Sequence, residues 1–265
     1  MINQKVKLLK KIAKNTWNRF PFSYAYKFKY SETTITENIL YYIYQHNLSK
    51  PNDSIDIFEA KNEKANGNDL EIWYEIKKDE YLFIALQAKK VDITSKKYKS
   101  ISHKVSANTQ NQQFQIELLE NYANLKQGIA CYLLYNYSEN FVRKNKKEYG
   151  CSLVCSDYIK KNYFCKINST TWKVPSFADL HDKMNCKNVS VPFYILALKK
   201  QFIKFIKNNN LSYTLISDSL ISYDQWVAMK SFKIDKAIKV NKKNNTLKNN
   251  SSEFDPKYRI VFKNE

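Results

Sequence analysis

Two runs of alternating residues joined by a short polar segment constrain this chain more than any other feature. Leu70-Glu71-Ile72-Trp73-Tyr74-Glu75-Ile76 alternates with period two, Lys77-Lys78-Asp79-Glu80 is polar, and Tyr81-Leu82-Phe83-Ile84-Ala85-Leu86-Gln87-Ala88-Lys89 is rich in aromatic and aliphatic residues. Period two is the repeat of a β-strand, so the pair reads as a hairpin. Its even side (Leu70, Ile72 and Ile76 with Leu82, Ile84, Leu86 and Ala88) is apolar and should face a core. Its odd side carries Asp69, Glu71, Gln87 and Lys89. Faces alternate along a strand, so Asp69 shares a face with Gln87 and Lys89 only if opposed residue numbers total an even value, about 156 or 158. A polar cluster at one end of an apolar hairpin costs stability and so invites a functional reading.

The flanking segments place the hairpin in an α/β chain. Val6, Leu8, Leu9, Ile12, Ala13 and Trp17 repeat with helical spacing until Pro21, which should interrupt the helix. Thr34 or Thr36 can cap a second helix, which carries Ile39, Leu40, Ile43 and Tyr44 on one face. Ile55 to Glu59 reads as a strand. Residues 91–108 read as loop with a short helix. A helix over Gln110 to Leu125 follows, with Phe114, Leu118, Leu119 and Tyr122 as its stripe and Gly128 as its terminator. Ile129 to Tyr135 is almost continuously apolar, which suggests a strand buried on both faces. Ser152 to Lys161 and Pro192 to Asn208 look helical, Lys233 to Glu253 reads as a mobile loop, and Tyr258 to Phe262 is a candidate strand.

Asp69 at the start of one strand and Gln87-x-Lys89 on the next resemble the metal-dependent nuclease fold called PD-(D/E)XK, or restriction-endonuclease-like. In that superfamily an acid is paired with an acid-x-lysine triplet, and a helical acid often completes the site. Gln87 stands where an acid is commonest, a variant of the triplet, and Glu37 matches the helical acid. Six blocks resemble, in order and spacing, an uncharacterised restriction-endonuclease-like family of prokaryotic proteins. They are Glu32 to Leu40, Gly67 to Trp73, Gln87 to Lys90, Gln115 to Ala123, Tyr132 to Asn136 and Tyr149 to Leu153. The resemblance implies a restriction-endonuclease-like core, a mixed central sheet flanked by helices. Residues 1–140 would form that core with its N-terminal helices, and 141–265 a C-terminal α/β elaboration packed on the same domain.

The implied chemistry is phosphodiester hydrolysis with Mg²⁺, or Mn²⁺ in its place, which takes oxygen ligands and helps both the attacking water and the developing charge. Asp69 would be the central ligand, with Gln87 and Glu37 as accessory ones, and Glu59 and Glu63 as rivals to Glu37. Lys89 would orient or deprotonate the water or stabilise the phosphorus. Glu71, about 6–7 Å along the strand from Asp69, would support the site or hold a second ion. Gln115, Lys90 and Lys104 would contact nucleic acid. The bland readings stand beside these: Asp69 as a turn residue, Lys89-Lys90 as a solvated strand end, Glu37 as a surface acid, and Gln115 as a polar residue on an amphipathic helix.

Charge argues for the same partner class. Lys and Arg number 44 against 25 Asp and Glu, a formal net charge of +19. Such an excess favours a polyanion, because neutralising phosphates releases counterions. DNA is favoured over RNA, by resemblance, and a homodimer is allowed. The 20 Tyr and 15 Phe offer stacking surfaces, although most should be core. No run of 18 apolar residues occurs, so a membrane span is not expected. The Lys-rich start has no apolar segment of a signal peptide behind it. Five cysteines (131, 151, 155, 165 and 186) read as reduced thiols of a cytoplasmic protein, and with His181 they match no common zinc spacing. The expected activity is a nuclease, with anti-phage defence as its setting by resemblance. A non-catalytic nucleic-acid binder of the same fold and a structural component of a defence or toxin complex are the alternatives.

Overall fold

A computed structural model describes residues 3–53, 55–60, 70–106, 112–164, 173–181, 189–221, 226–228 and 257–263. Helices α1 (Gln4–Ala25) and α2 (Glu32–Ser49) lead into β1 (Asp56–Ala60) and the hairpin of β2 (Leu70–Lys77) and β3 (Glu80–Lys90). A small pair, β4 (Lys104–Ser106) and β5 (Gln112–Phe114), precedes α3 (Gln115–Leu125) and β6 (Ile129–Tyr135). Then come β7 (Cys151–Cys155), α4 (Ser156–Ile159), α5 (Phe177–His181), β8 (Ser190–Pro192) and α6 (Lys199–Asn208). The last elements are β9 (Ile216–Ser217), β10 (Trp226–Ala228) and β11 (Tyr258–Phe262).

The sheet runs β10-β1-β11-β2-β3-β6-β7-β8, with β9 on the far end of β3. It is mixed: β11 is parallel to β2 and β6 is parallel to β3, while the other neighbours are antiparallel. The parallel β3–β6 pair needs a crossover, and α3 supplies it. Helices flank both faces. On the even-numbered face of the hairpin, Thr36 of α2 meets the Tyr135 hydroxyl at 2.7 Å, and Thr16 of α1 meets Cys151 at 3.4 Å. On the odd-numbered face, α3 reaches β2 through Tyr122 and β3 through Gln115. The architecture is therefore α/β, a mixed sheet between helical layers.

The hairpin register matches the expected parity. Opposed residue numbers total 156 from Leu70–Leu86 to Glu75–Tyr81, until a bulge before Lys77, and Asp79 closes the turn at φ 58°. The expected division of faces does not hold. Both sides are buried, because Trp73, Tyr81 and Phe83 make the odd side a second apolar surface under α3.

Several local expectations give way to tertiary packing. Pro21 lies inside α1, which continues to Ala25, so the missing N–H is absorbed without ending the helix. Ser31 caps α2, its hydroxyl accepting from Thr34 N at 3.1 Å, whereas Thr36 turns inward to Tyr135. Residues 112–114 pair with 104–106, so α3 starts at Gln115. The first part of the 152–161 stretch is a buried strand rather than a helix, because β6 needs an antiparallel neighbour and Cys151 to Cys155 supply it; from Ser156 the chain is helical as expected. Only the second half of the 192–208 stretch is α-helical. Lys233 to Glu253 lies outside the described residues.

Two glycines are fixed by close approach rather than by φ. The left-handed residue after α3 is Gln127, at φ 52°, and a Cβ on Gly128 would strike Phe83. A Cβ on Gly150 would stand far inside van der Waals contact with the Ala13 carbonyl oxygen on α1. Gly150→Ala is therefore expected to destabilise the protein by about 1–3 kcal/mol, since backbone must move to admit it. A lowered urea midpoint at unchanged slope would show this.

Candidate functional site

Alternation along β2 and β3 puts Glu71, Gln87 and Lys89 on one face, toward α3. The parallel partner β6 continues the surface, with Tyr132 opposite Gln87 and Leu134 opposite Lys89. Gln87 is 1% exposed and Lys89 4%. The Lys89 ammonium donates to Gln115 Oε1 at 2.7 Å. Gln115 is held there because the first turn of α3 is fixed from two sides. Its N–H donates to His103 O at 3.1 Å, and Glu117 Oε2 accepts from Phe114 N at 3.2 Å. A lysine enclosed under a helix start costs solvation that a solvated strand end would not pay.

Glu71 is fully enclosed and fully engaged. Its Oε1 accepts from Trp73 Nε1 at 3.0 Å and from Arg259 Nε, and its Oε2 accepts from the Tyr122 hydroxyl at 2.7 Å. Arg259 comes from β11, beside Glu71 in the register, and its guanidinium lies 5.4 Å from the Trp73 ring. Both carboxylate oxygens are thus spent within the protein, which makes Glu71 a member of a buried ion pair. Sequence reasoning missed Arg259 as its partner. The available signal was rarity: arginine occurs at three positions in a chain with 44 Lys and Arg. The planar guanidinium suits an enclosed partner better than an ammonium does. Arg143 likewise donates to His181 O and to the Tyr149 hydroxyl, each at 2.8 Å.

The other candidates fall elsewhere. Lys90 points to the opposite face, where its Nζ donates to Tyr30 O at 2.7 Å and its N–H to Glu32 Oε1 at 2.8 Å. Lys104 is exposed and lies 5.0 Å from the Phe114 ring, next to Gln115. Glu37 is exposed on α2, the helix on the Lys90 face. Burial raises the Tyr258 phenol, and the charges of Glu59 and Glu37 push it in the same direction against Lys257. Tyr258 pairs with Leu70, so both acids act near the start of β2. Asp69, Gly67 and Glu63 lie outside the described residues. Among the described residues, no group of three His, Cys, Asp or Glu is placed to hold a metal.

A second polar cluster lies on β6 and β7. The Asn136 amide donates to Ser152 Oγ at 2.8 Å and accepts from the Tyr98 hydroxyl; Ser152 Oγ stands 2.9 Å from His181 Nε2. His181 Nδ1 faces Phe177 O at 3.0 Å, so the neutral ring donates from Nδ1 and accepts at Nε2. Burial lowers the His181 pKa to about 3, and the Arg143 charge adds to this. An unfolded chain binds a proton here near pH 6.5 that the folded one refuses until about 3. The stability this neutral histidine confers is therefore whole above pH 6.5. It falls by about 1.4 kcal/mol per unit as the pH drops from there toward 3. Urea midpoints across that range should show the decline, and His181→Asn should flatten it.

Cys131, Cys151 and Cys155 are buried free thiols, and burial pushes Cys151 up to about 12, which leaves no reactive thiolate there; Cys165 and Cys186 lie outside the described residues. Among the described residues no helix is long and apolar enough to cross a membrane. No curated protein and no solved structure matches the chain. A family model does match, over residues 5–218, a span that takes in β3, α3 and the Lys89–Gln115 pair but stops short of Arg259. By that match the chain belongs to DUF6615, a family of unknown function.

Proposed function

We propose that the protein is a metal-dependent nuclease of restriction-endonuclease-like fold, acting on nucleic acid, with DNA favoured. The observation that supports this reading is Lys89, a nearly buried ammonium that shares a strand face with Gln87 and is held by Gln115. Asp69 is the residue before Leu70, which pairs with Leu86 beside Gln87. The donor set of Asp69, Gln87 and Glu37 is oxygen only, which suits a hard cation such as Mg²⁺ or Mn²⁺. Glu37 sits on the α2 layer, opposite Gln87 and Lys89, so it would have to join them around the start of β2, where Glu59 is its rival. A bound ion would supply charge to neutralise the phosphate and lower the cost of ionising the attacking water. Lys89 would hold a proton near the scissile phosphate and offset the charge developing there. Gln115 orients Lys89, and Lys104 lies at the rim where a phosphate backbone would pass.

The engagement of Glu71 by Arg259 favours a second reading, a binding protein with a reduced site, since one acid of the face is withdrawn. Plasmid, linear duplex, single-stranded DNA and RNA incubated with Mg²⁺ or Mn²⁺, beside EDTA and Asp69→Ala controls, separate the two. The nuclease reading expects metal-dependent cleavage lost in Asp69→Ala. Retarded but uncut nucleic acid in every metal-containing lane would support the binding protein instead.

A further inference from the structure

The first 31 residues hold eight Lys or Arg and no acid; Glu32 is the first carboxylate. On α1, the exposed positions Lys7, Lys11, Lys14, Asn18 and Phe22 follow one another at steps of three and four, one stripe along the helix. Lys14 touches Glu148 at 4.0 Å and stays half exposed. Where the stripe ends, the chain presents Phe22, Tyr24, Tyr26 and Phe28 at 58%, 63%, 74% and 50% exposure. Exposed Lys27 and Lys29 flank Phe28. The Phe22 and Tyr26 rings are parallel within 6°, with centroids 6.4 Å apart. Core packing does not explain this cluster, because Trp17, Phe20 and Tyr30 already fill the interior on either side of it. Four exposed aromatic rings within seven residues point to a partner.

The strap is fixed at both ends. Lys27, at φ 55°, turns the chain away from α1. At the far end, Lys90 Nζ holds Tyr30 O at 2.7 Å. Lys90 follows Lys89 on β3 but projects from the other face of the sheet, so the strap is anchored on the α2 side, behind the strand end that carries the candidate catalytic lysine. Charge of one sign along α1 calls for an extended polyanion. Its large exposed side chains at the strap are aromatic rather than aliphatic, which suits stacking on flat rings better than insertion among acyl chains.

We propose that residues 22–29 form a platform for unpaired nucleotides, with bases stacked on Phe22, Tyr24, Tyr26 and Phe28 and phosphates met by Lys27, Lys29 and the α1 stripe. The strand would run from the platform around the end of β3 to reach the Lys89 face. This rests on the nuclease reading for its purpose, but the binding itself needs neither metal nor cleavage. The test is fluorescence anisotropy in EDTA with a labelled thymidine oligomer and a duplex of equal length. The combined Phe22→Ala, Tyr24→Ala, Tyr26→Ala, Phe28→Ala variant keeps every charge and changes only exposed side chains. It should weaken single-strand binding at least about tenfold and duplex binding by less than about twofold. Leu125→Ala with Val142→Ala removes exposed apolar groups elsewhere and should change neither; Phe22→Tyr with Tyr26→Phe should retain wild-type affinity. Unchanged single-strand affinity in the fourfold variant overturns the proposal, as does equal loss for both nucleic acids. So does a fourfold variant that keeps oligonucleotide affinity but no longer sediments with phosphatidylserine vesicles, or no longer self-associates. A chain that binds through the strap yet cuts nothing with metal present sinks the nuclease reading alone. A chain that cuts but binds without the strap sinks the platform alone.

Discussion

Glu71→Ala is expected to lower folding stability by about 3–5 kcal/mol, a large share of the roughly 5–15 kcal/mol that holds a domain together. The carboxylate is enclosed between β11, β2 and α3, where Trp73, Tyr122 and Arg259 all donate to it. Removing it takes from the buried Arg259 guanidinium the carboxylate that Glu71 supplies, and strips an acceptor from both Trp73 and Tyr122. The loss comes from breaking a buried pair by one partner rather than from the net strength of the pair. Glu71→Leu combined with Arg259→Met should therefore recover much of the stability lost by Glu71→Leu alone. Denaturant titrations of the two single variants and the double variant give the coupling directly. Additive losses would mean that the two side chains do not act as a pair.

Lys89→Ala is expected to reduce cleavage by about 10²–10³-fold while leaving nucleic-acid affinity nearly unchanged. One cation among 44 Lys and Arg adds little to long-range attraction. Enclosed beside Gln87 and Gln115, however, it would act on charge that develops in the transition state. Lys89→Met keeps the stem that fills the space under α3 and tests whether the loss is one of charge or of packing. Lys90→Ala is the matched control: the same change in charge one residue along, on the face where the side chain holds Tyr30. Single-turnover rates at saturating nucleic acid should fall for Lys89→Ala and stay near wild type for Lys90→Ala. Equal rates, or a larger effect at Lys90, would place the chemistry elsewhere.

How much of this was legible beforehand depended on range. Period-two alternation in Leu70–Ile76 and Tyr81–Lys89 determined the hairpin, its register parity and the shared face of Glu71, Gln87 and Lys89, because a slip of one residue would reverse every side chain. The uninterrupted apolar run of Ile129–Tyr135 likewise determined a strand buried on both faces. The resemblance implies a nucleic-acid contact for Gln115, and its bond to Lys89 follows from the crossover that lays α3 on β3. What only the tertiary structure decided was the neighbour of each strand and, with it, the state of each charge. β11 enters between β1 and β2 from the far end of the chain, and Arg259 reaches Glu71 across 188 residues of sequence. No local pattern encodes that approach, so the reading of Glu71 as a supporting residue or a second ligand could not include the arginine that engages it. The same holds for Cys151–Cys155, which is a strand because β6 offers it a free edge, and for Glu37, which is set on the other layer by the packing of α2. Local spacing fixes which side chains share a face; whether that face is wet, buried or already paired is set by elements the spacing never sees.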